Sequence, residues 1–277
     1  MTNEPVIALD KLSLKAGNRY LLKDISWQVA RGEHWVVFGM NGCGKTTLLS
    51  VLAGYKQPTA GTLQMLGEAY TPQNILALRR RIGWVSGSFF DQKFTKESAL
   101  DIVLSGLTGA LGRDRSAVSL ADVKQAKALL AELHIADKIY QPFHMMSKGE
   151  RENVLIARAL IAEPEILLLD EPCTGLDIFA REHLLNTLRD LAENSNLTII
   201  YVTHYTEELL LDVFKKTMLL RDGLVYAQGE TSALFTSEVF SDFLGAPVKI
   251  APRDYHGLEA NVAAVSHVAQ LMKGGSA

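Results

Sequence analysis

The sequence predicts an α/β protein with a mostly parallel sheet, an antiparallel β part at its N-terminus and a helical insertion between two halves. Three observations carry this. Short apolar runs alternate with helical patterns in both halves of the chain. A glycine-rich segment, Gly39-Met40-Asn41-Gly42-Cys43-Gly44-Lys45-Thr46, joins an apolar run to a helical one. The 277 residues are 48% apolar and 21% charged, the mix of a globule with a sizeable core rather than of a disordered chain.

Residues 5–30 alternate apolar and polar in short runs and read as strands with a turn at Gly17-Asn18. Glu33–Phe38 is a continuous apolar run, as expected for a strand buried on both faces. Thr46–Ala53 reads as a helix stopped at Gly54, residues 75–81 as a short helix with an arginine face, and 82–86 as a strand. Residues 95–146 read as mostly helical, most clearly where Val123, Ala126, Leu129, Leu130 and Leu133 share a face. The alternation then resumes. Ile166–Leu169 is a buried strand, Ala180–Ala192 a helix, Leu197–Thr203 a β-branched strand, Glu207–Leu211 the start of a helix, and 217–228 a hairpin around Asp222-Gly223. We divide the chain into a domain over 1–245, with the helical insertion at about 91–160, and an extension over 246–277 that carries a weakly amphipathic helix.

The formal charge of −3 gives no support to a protein held to nucleic acid by phosphate neutralisation. No apolar run reaches the ~18–20 residues that span a bilayer, and the first ten residues lack the basic and apolar regions of a secretory signal. The two cysteines, Cys43 and Cys173, form neither a metal-ligand pattern nor a disulfide framework, and the seven histidines show no close metal-type pairing. A cytoplasmic location follows as an expectation.

The chemistry-bearing segments come in a fixed order. The segment from Gly39 to Thr46 fits G-x-x-x-x-G-K-[ST], placing the chain among P-loop nucleotide-binding folds. A chance match in this length is about one in a hundred with Gly near ~7%. Glycines let the backbone curl its N–H groups onto phosphate oxygens, and the following helix, through Thr46 and Thr47, adds its N-terminal dipole. Lys45 would reach the β- and γ-phosphates and Thr46 would place a hydroxyl on Mg²⁺. Cys43, beside a helix N-terminus and Lys45, is expected either to have raised thiolate character or merely to fit as a small residue. The strand 166–169 ends in Asp170-Glu171. Asp170 suits the Mg²⁺ shell, directly or through water, and Glu171 could orient or deprotonate an attacking water. His204 ends the strand 198–203, where a parallel neighbour would deliver it to a γ-phosphate. Ser147 and Glu150 form a capping box ahead of a helix, which is also an anion site.

Together these segments resemble the ATP-binding-cassette (ABC) ATPases. The family signature L-S-G-G-Q becomes Met146-Ser147-Lys148-Gly149-Glu150, followed by Ala157-Arg158-Ala159-Leu160 and Leu169-Asp170-Glu171-Pro172. The D-loop becomes Thr174-Gly175-Leu176-Asp177, and His204 matches the switch histidine. The resemblance covers about residues 5–245 and implies two cassettes meeting head to tail, either a homodimer or a pair with a homologue. Ser147 and Gly149 of one chain would contact the γ-phosphate bound by the other. Three positions depart from the family. The adenine-stacking aromatic aligns with Ala16, with Tyr20 nearby either as its substitute or as strand packing. The Q-loop glutamine falls at Gly87, flanked by Ser86 and Ser88, either of which could supply an oxygen towards Mg²⁺. Lys148 replaces a signature glycine and either reaches a phosphate or points into solvent.

The resemblance therefore implies an ATPase, using ATP and Mg²⁺, that powers solute transport through separate transmembrane permease subunits from the inner face of the cell membrane, with import as the expected direction. The alternatives are a soluble ABC ATPase acting on DNA or ribosomes, and a nucleotide-binding regulator with little hydrolysis. Phe89, Phe90 and Phe94 stand in the stretch that the family uses for coupling, as a docking surface or as core.

Overall fold

The strand–helix alternation is present in the computed structural model, which describes residues 4–94, 96–111, 118–208, 210 and 212–250. In chain order the elements are β1 (Pro5–Ala16), β2 (Arg19–Ala30), β3 (His34–Phe38), α1 (Lys45–Leu52), β4 (Ala60–Met65), β5 (Glu68–Ala69), α2 (Ile75–Arg81), β6 (Ile82–Val85) and α3 (Gly87–Phe90). They continue with α4 (Ala99–Ser105), α5 (Leu120–Glu132), α6 (Lys148–Leu160), β7 (Ile166–Asp170), α7 (Ile178–Asn194), β8 (Thr198–Thr203), β9 (Lys216–Arg221), β10 (Leu224–Glu230), α8 (Thr231–Leu234) and α9 (Ser237–Leu244). The chain forms two units, one from residues up to 69 together with those from 198, the other from 70–197.

In the first unit β1 pairs antiparallel with β2 and β4, and β4 with β5. β3 lies between β8 and β9, parallel to both, and β9 turns back into β10 through Asp222-Gly223, both at positive φ. That two-residue turn matches the twist of the flanking strands. Every residue of β3 after His34 is buried, as a strand covered on both faces requires. Trp27 of β2 meets Trp35 of β3 edge to face at 5.4 Å, and Phe38 packs against Phe235 and Phe240.

In the second unit β6 and β7 pair in parallel, with Val85 opposite Leu169. α6 lies close over β6 because Gly83 has no side chain. A Cβ there would stand 2.7 Å from the Ala159 carbonyl oxygen. Trp84, Phe89, Phe90, Phe94 and Phe143 form a continuous run of ring contacts. The buried guanidinium of Arg158 lies over Phe90 at 4.6 Å and donates to Ser105 Oγ at 3.1 Å. Phe90 and Phe94 are thus core, and only Phe89 is half-buried.

Several expectations change. The stretch 95–146 is less helical than its pattern suggests. Among the described residues it holds α4, α5 and three single 3-10 turns, because glycines at 106 and 109 and Pro142 break the helical run. The expected helix from Glu207 is a 3-10 turn over Thr206–Glu208, and positions 209 and 211 lie outside the described residues. Strands β4 and β5, α3, and the helices α8 and α9 go unpredicted. The expected helix over 258–272 lies outside the described residues. No helix among the described residues is long and apolar enough to cross a membrane.

Candidate functional site

The glycine-rich loop connects β3 to α1 in the first unit. Gly42 and Gly44 stand at φ +80° and +112°, where a side chain would be strained. A Cβ at Gly39 would sit 2.3 Å from the Leu220 carbonyl oxygen, and one at Gly44 2.9 Å from that of Leu21. The loop therefore folds only with glycine at 39, 42 and 44. Lys45 is buried, and its Nζ donates to the carbonyls of Gly39 at 2.6 Å and Met40 at 3.2 Å. Its ammonium is thus held inside the loop's curl. Asn41 and Thr46 are exposed and Thr47 is half-buried at the start of α1. The curl of the loop and the charge held inside it suit a phosphate chain.

The pairing of β3 with β8 sets Phe38 opposite Thr203. The loop after β3 and His204 after β8 consequently leave the same end of the sheet, as their sequence positions predict. Glu208, which the sequence reading missed, fixes the chain beyond His204. Its buried carboxylate accepts from Thr203 Oγ1 at 2.6 Å and Tyr201 Oη at 2.9 Å, and Thr203 Oγ1 accepts from the Tyr205 N–H. Tyr20 is exposed rather than packed within the strand, and the Lys15 ammonium lies 4.4 Å from its ring centre.

Of the two expectations for Cys43, its surroundings oppose raised thiolate character and agree with a small residue that fits the loop. Burial pushes its thiol above the ordinary value, outweighing the opposing pull of the Lys45 charge and nearby backbone N–H groups. The side chain is 7% exposed and faces Gly39. Raised thiolate character is therefore not what this loop provides. We expect maleimide to modify Cys43 in the folded protein at pH 7.5 more than ten-fold slower than in urea, read by intact mass. Equal rates would contradict the buried, protonated thiol.

In the second unit, the register of β6 with β7 brings Ser86 beside Asp170. Ser86 is fully buried and its hydroxyl donates to Asp170 Oδ2 at 2.8 Å. Ser88, exposed, lies 3.2 Å from Ser86 Oγ. Ser86 is therefore the serine that faces the acidic strand end. The Gln92 amide donates to the Ser88 carbonyl at 3.4 Å. Glu171 is half-buried and has φ +51°, a left-handed backbone rare for a non-glycine residue. That reversal ends the extended backbone of β7 at Asp170.

Ser147 caps α6 in a full capping box with Glu150, as the sequence predicts, and the helix begins at Lys148. The Glu150 carboxyl is held below the usual range, first by its hydrogen bond from Lys138 and then by the cap. Lys148 is exposed, in keeping with the solvent-facing course of the two expected. Its Cδ and Nζ lie 2.9 Å from where a Cβ at Gly175 would sit, so the chain folds over the turn that follows Glu171. Gly149 faces Leu176 of the same turn, and Asp177 caps α7 by accepting from the Ala180 N–H at 2.9 Å.

One further residue of α6 was missed. Glu152 is 5% exposed, and burial, with Asp91 and Asp170 adding to it, pushes its carboxyl up to about 8 against the opposing pull of Lys148 and Arg151. A signal was available, because 152, 155, 156 and 159 form the i, i+3, i+4, i+7 stripe that α6 buries. Folded Glu152 keeps its proton to about pH 8, whereas unfolded it loses the proton near the ordinary 4.5. The folded state therefore binds more protons between those values, and stability falls as pH rises through that window. We expect urea unfolding to show a loss on the order of a few kcal/mol from pH 5 to pH 8 in the wild type, and a flatter profile in Glu152→Gln.

Comparison with known proteins follows the same segments. A family model described as ABC transporter matches residues 22–174. An uncharacterized ABC transporter ATP-binding protein of Bacillus subtilis, YlmA, is 40% identical over 88% of this chain and 93% of its own length. A cobalt import ATP-binding protein of Rhodobacter capsulatus is 34% identical over 84% of this chain and 81% of its own. The dimeric structure of an ATP-binding cassette in a post-hydrolysis state, bound to ADP and Pi, is 26% identical, with a TM-score of 0.70 over 81% of this chain and 98% of that one.

Proposed function

The chain belongs to the ABC transporter family and is an ATPase of that family, and from this premise we propose that it powers import of a solute through separate membrane subunits. Lys45 and the loop from Gly39 to Thr47 take the phosphates. Thr46 and Asp170, with Ser86 behind Asp170, hold Mg²⁺. Glu171 orients or deprotonates the attacking water and His204 holds the γ-phosphate. The site is completed by a second cassette, whose Ser147 and Gly149 face the γ-phosphate and whose Asp177 lies at the junction. The protein works at the inner face of the membrane.

The observation that carries this reading is the register of β3 with β8, which sends the lysine loop and His204 out of one sheet end. A phosphate cradle and a histidine at the same strand ends suit phosphoryl transfer to water. The Ser86–Asp170 pair at the end of β6 and β7 adds a buried carboxylate held for a cation rather than left to solvent. Import is supported by the cobalt import protein among the relatives.

The test is capture of the partner. Tagged Glu171→Gln protein loaded with MgATP is isolated from gently solubilised native membranes and its companions identified by mass spectrometry. A polytopic membrane protein in stoichiometric amount is the expected result. Recovery from the soluble fraction with ribosomes or DNA-processing factors would overturn the transport reading. Transport by the captured complex in sealed vesicles then gives the direction.

A further inference from the structure

The carboxyl of Glu152 reaches from α6 to the start of α3. Its Oε2 lies 3.4 Å from where a Cβ at Gly87 would stand, and among the described residues beyond α3 and its chain neighbours no other atom comes within 4 Å of it. Gly87 has no positive φ, so the backbone does not require glycine there. What occupies the space beside it is the carboxyl of Glu152. Its Oε1 is buried and has no hydrogen-bond partner among the described residues. A polar oxygen left so in a core is costly unless it serves a bound group. Gly87 directly follows Ser86, whose hydroxyl holds Asp170, and the ion pair of Asp91 with Arg151 at 3.1 Å ties the far end of α3 to the same helix.

We propose that Glu152 stands in for a side chain at position 87, as the polar group behind the Ser86–Asp170 pair, and is a positioning residue for ATP hydrolysis. It rests on the ATPase reading above. The unpartnered Oε1 fits a buried water or a metal-bound water at this strand end, which it aligns on Asp170. Glutamine has the length and the planar end group of glutamate, and keeps an acceptor oxygen where Oε1 stands. Glutamine at 152 is therefore equivalent, and glutamine delivered from 87 reaches the same place.

The experiment compares five proteins with the wild type, namely Glu152→Gln, Glu152→Met, Glu152→Ala, Gly87→Gln, and Gly87→Gln with Glu152→Ala. Steady-state ATPase is measured against ATP and against Mg²⁺. Glu152→Gln should keep kcat within about three-fold. Glu152→Met, of similar size and apolar, should fold normally yet lose kcat about ten-fold or more at unchanged KM for ATP, and need more Mg²⁺. The double variant should recover most of that loss. Full kcat in Glu152→Met would make Glu152 mere packing and overturn the inference, as would failure of Glu152→Gln.

Urea unfolding without nucleotide supplies a readout independent of turnover. Gly87→Gln alone should destabilise, because two polar groups then compete for one space, and that cost should vanish once Glu152 is alanine. Additive effects of the two substitutions would overturn the inference. A wild type with no turnover would instead sink the ATPase reading, and the unfolding cycle would still decide this one.

Discussion

Glu171→Gln protein binds ATP as the wild type does and hydrolyses it roughly 10²–10⁴-fold more slowly, the range by which a positioned general base contributes. The substitution removes a carboxylate and keeps its shape. It also keeps the backbone unstrained beyond the wild-type level, because Glu and Gln meet the same penalty at the φ of +51° that residue 171 adopts. That conformation follows a strand whose five residues are all buried, and the Glu171 carbonyl accepts from the Thr174 N–H at 3.0 Å to close the turn. A left-handed residue at that point is a local strain that the turn after β7 holds in place. With hydrolysis blocked, two chains should stay together around bound nucleotide, since in the proposed site the signature serine comes from the other chain. Size-exclusion chromatography with MgATP should show a dimer that disperses with ADP. A variant that remains monomeric at saturating MgATP would refute the two-chain site, and unchanged turnover would refute the role of Glu171.

The parts of this site that were legible in the sequence are those written locally. A strand, a glycine loop and a helix start are adjacent in the chain, so Gly39 to Thr47 could be read directly. Asp170 and His204 announce themselves because polar residues end long apolar runs. The antiparallel β4 and β5 were not legible. Of the six residues of β4, Leu63 and Met65 alone are buried, too few for a period to stand out. Lys148 and Glu152 were hidden for another reason. The run Lys-Gly-Glu-Arg-Glu reads as a solvated helix start, yet one of these side chains lies over Gly175 and another is buried against Gly87. Nothing within six residues of sequence specifies those neighbours. They come from the turn after β7 and from the strand end before α3, each brought in by tertiary packing. Cys43 shows the same limit in energetic form. The favourable charge of Lys45 is visible in sequence, and the burial that outweighs it is not.

Lys45→Ala protein remains folded and loses tight ATP binding. In the wild type the Lys45 ammonium is buried and held by two loop carbonyls, so the charge is in place before a phosphate arrives. Preorganisation of that kind spares the ligand the cost of ordering a flexible lysine. Hydrogen bonds to charged groups contribute about 1.5–3 kcal/mol each, so losing those to the β- and γ-phosphates lowers ATP affinity by roughly 10²–10⁴-fold. The fold tolerates the change better, because the charge and its two backbone contacts leave together or pass to water at a loop that borders solvent at Met40 and Asn41. AMP, which lacks both phosphates that Lys45 reaches, separates charge from shape. Its affinity should change less than three-fold, on the expectation that only α-phosphate contacts to the loop's N–H groups remain in play. Equilibrium titration in the Glu171→Gln background keeps hydrolysis out of the measurement. If AMP and ATP weakened together, the loop itself would have collapsed and the lysine's direct contact with phosphate would be refuted. If only ATP weakened, the ammonium inside the curl of Gly39 and Met40 is the group that distinguishes a triphosphate from a monophosphate.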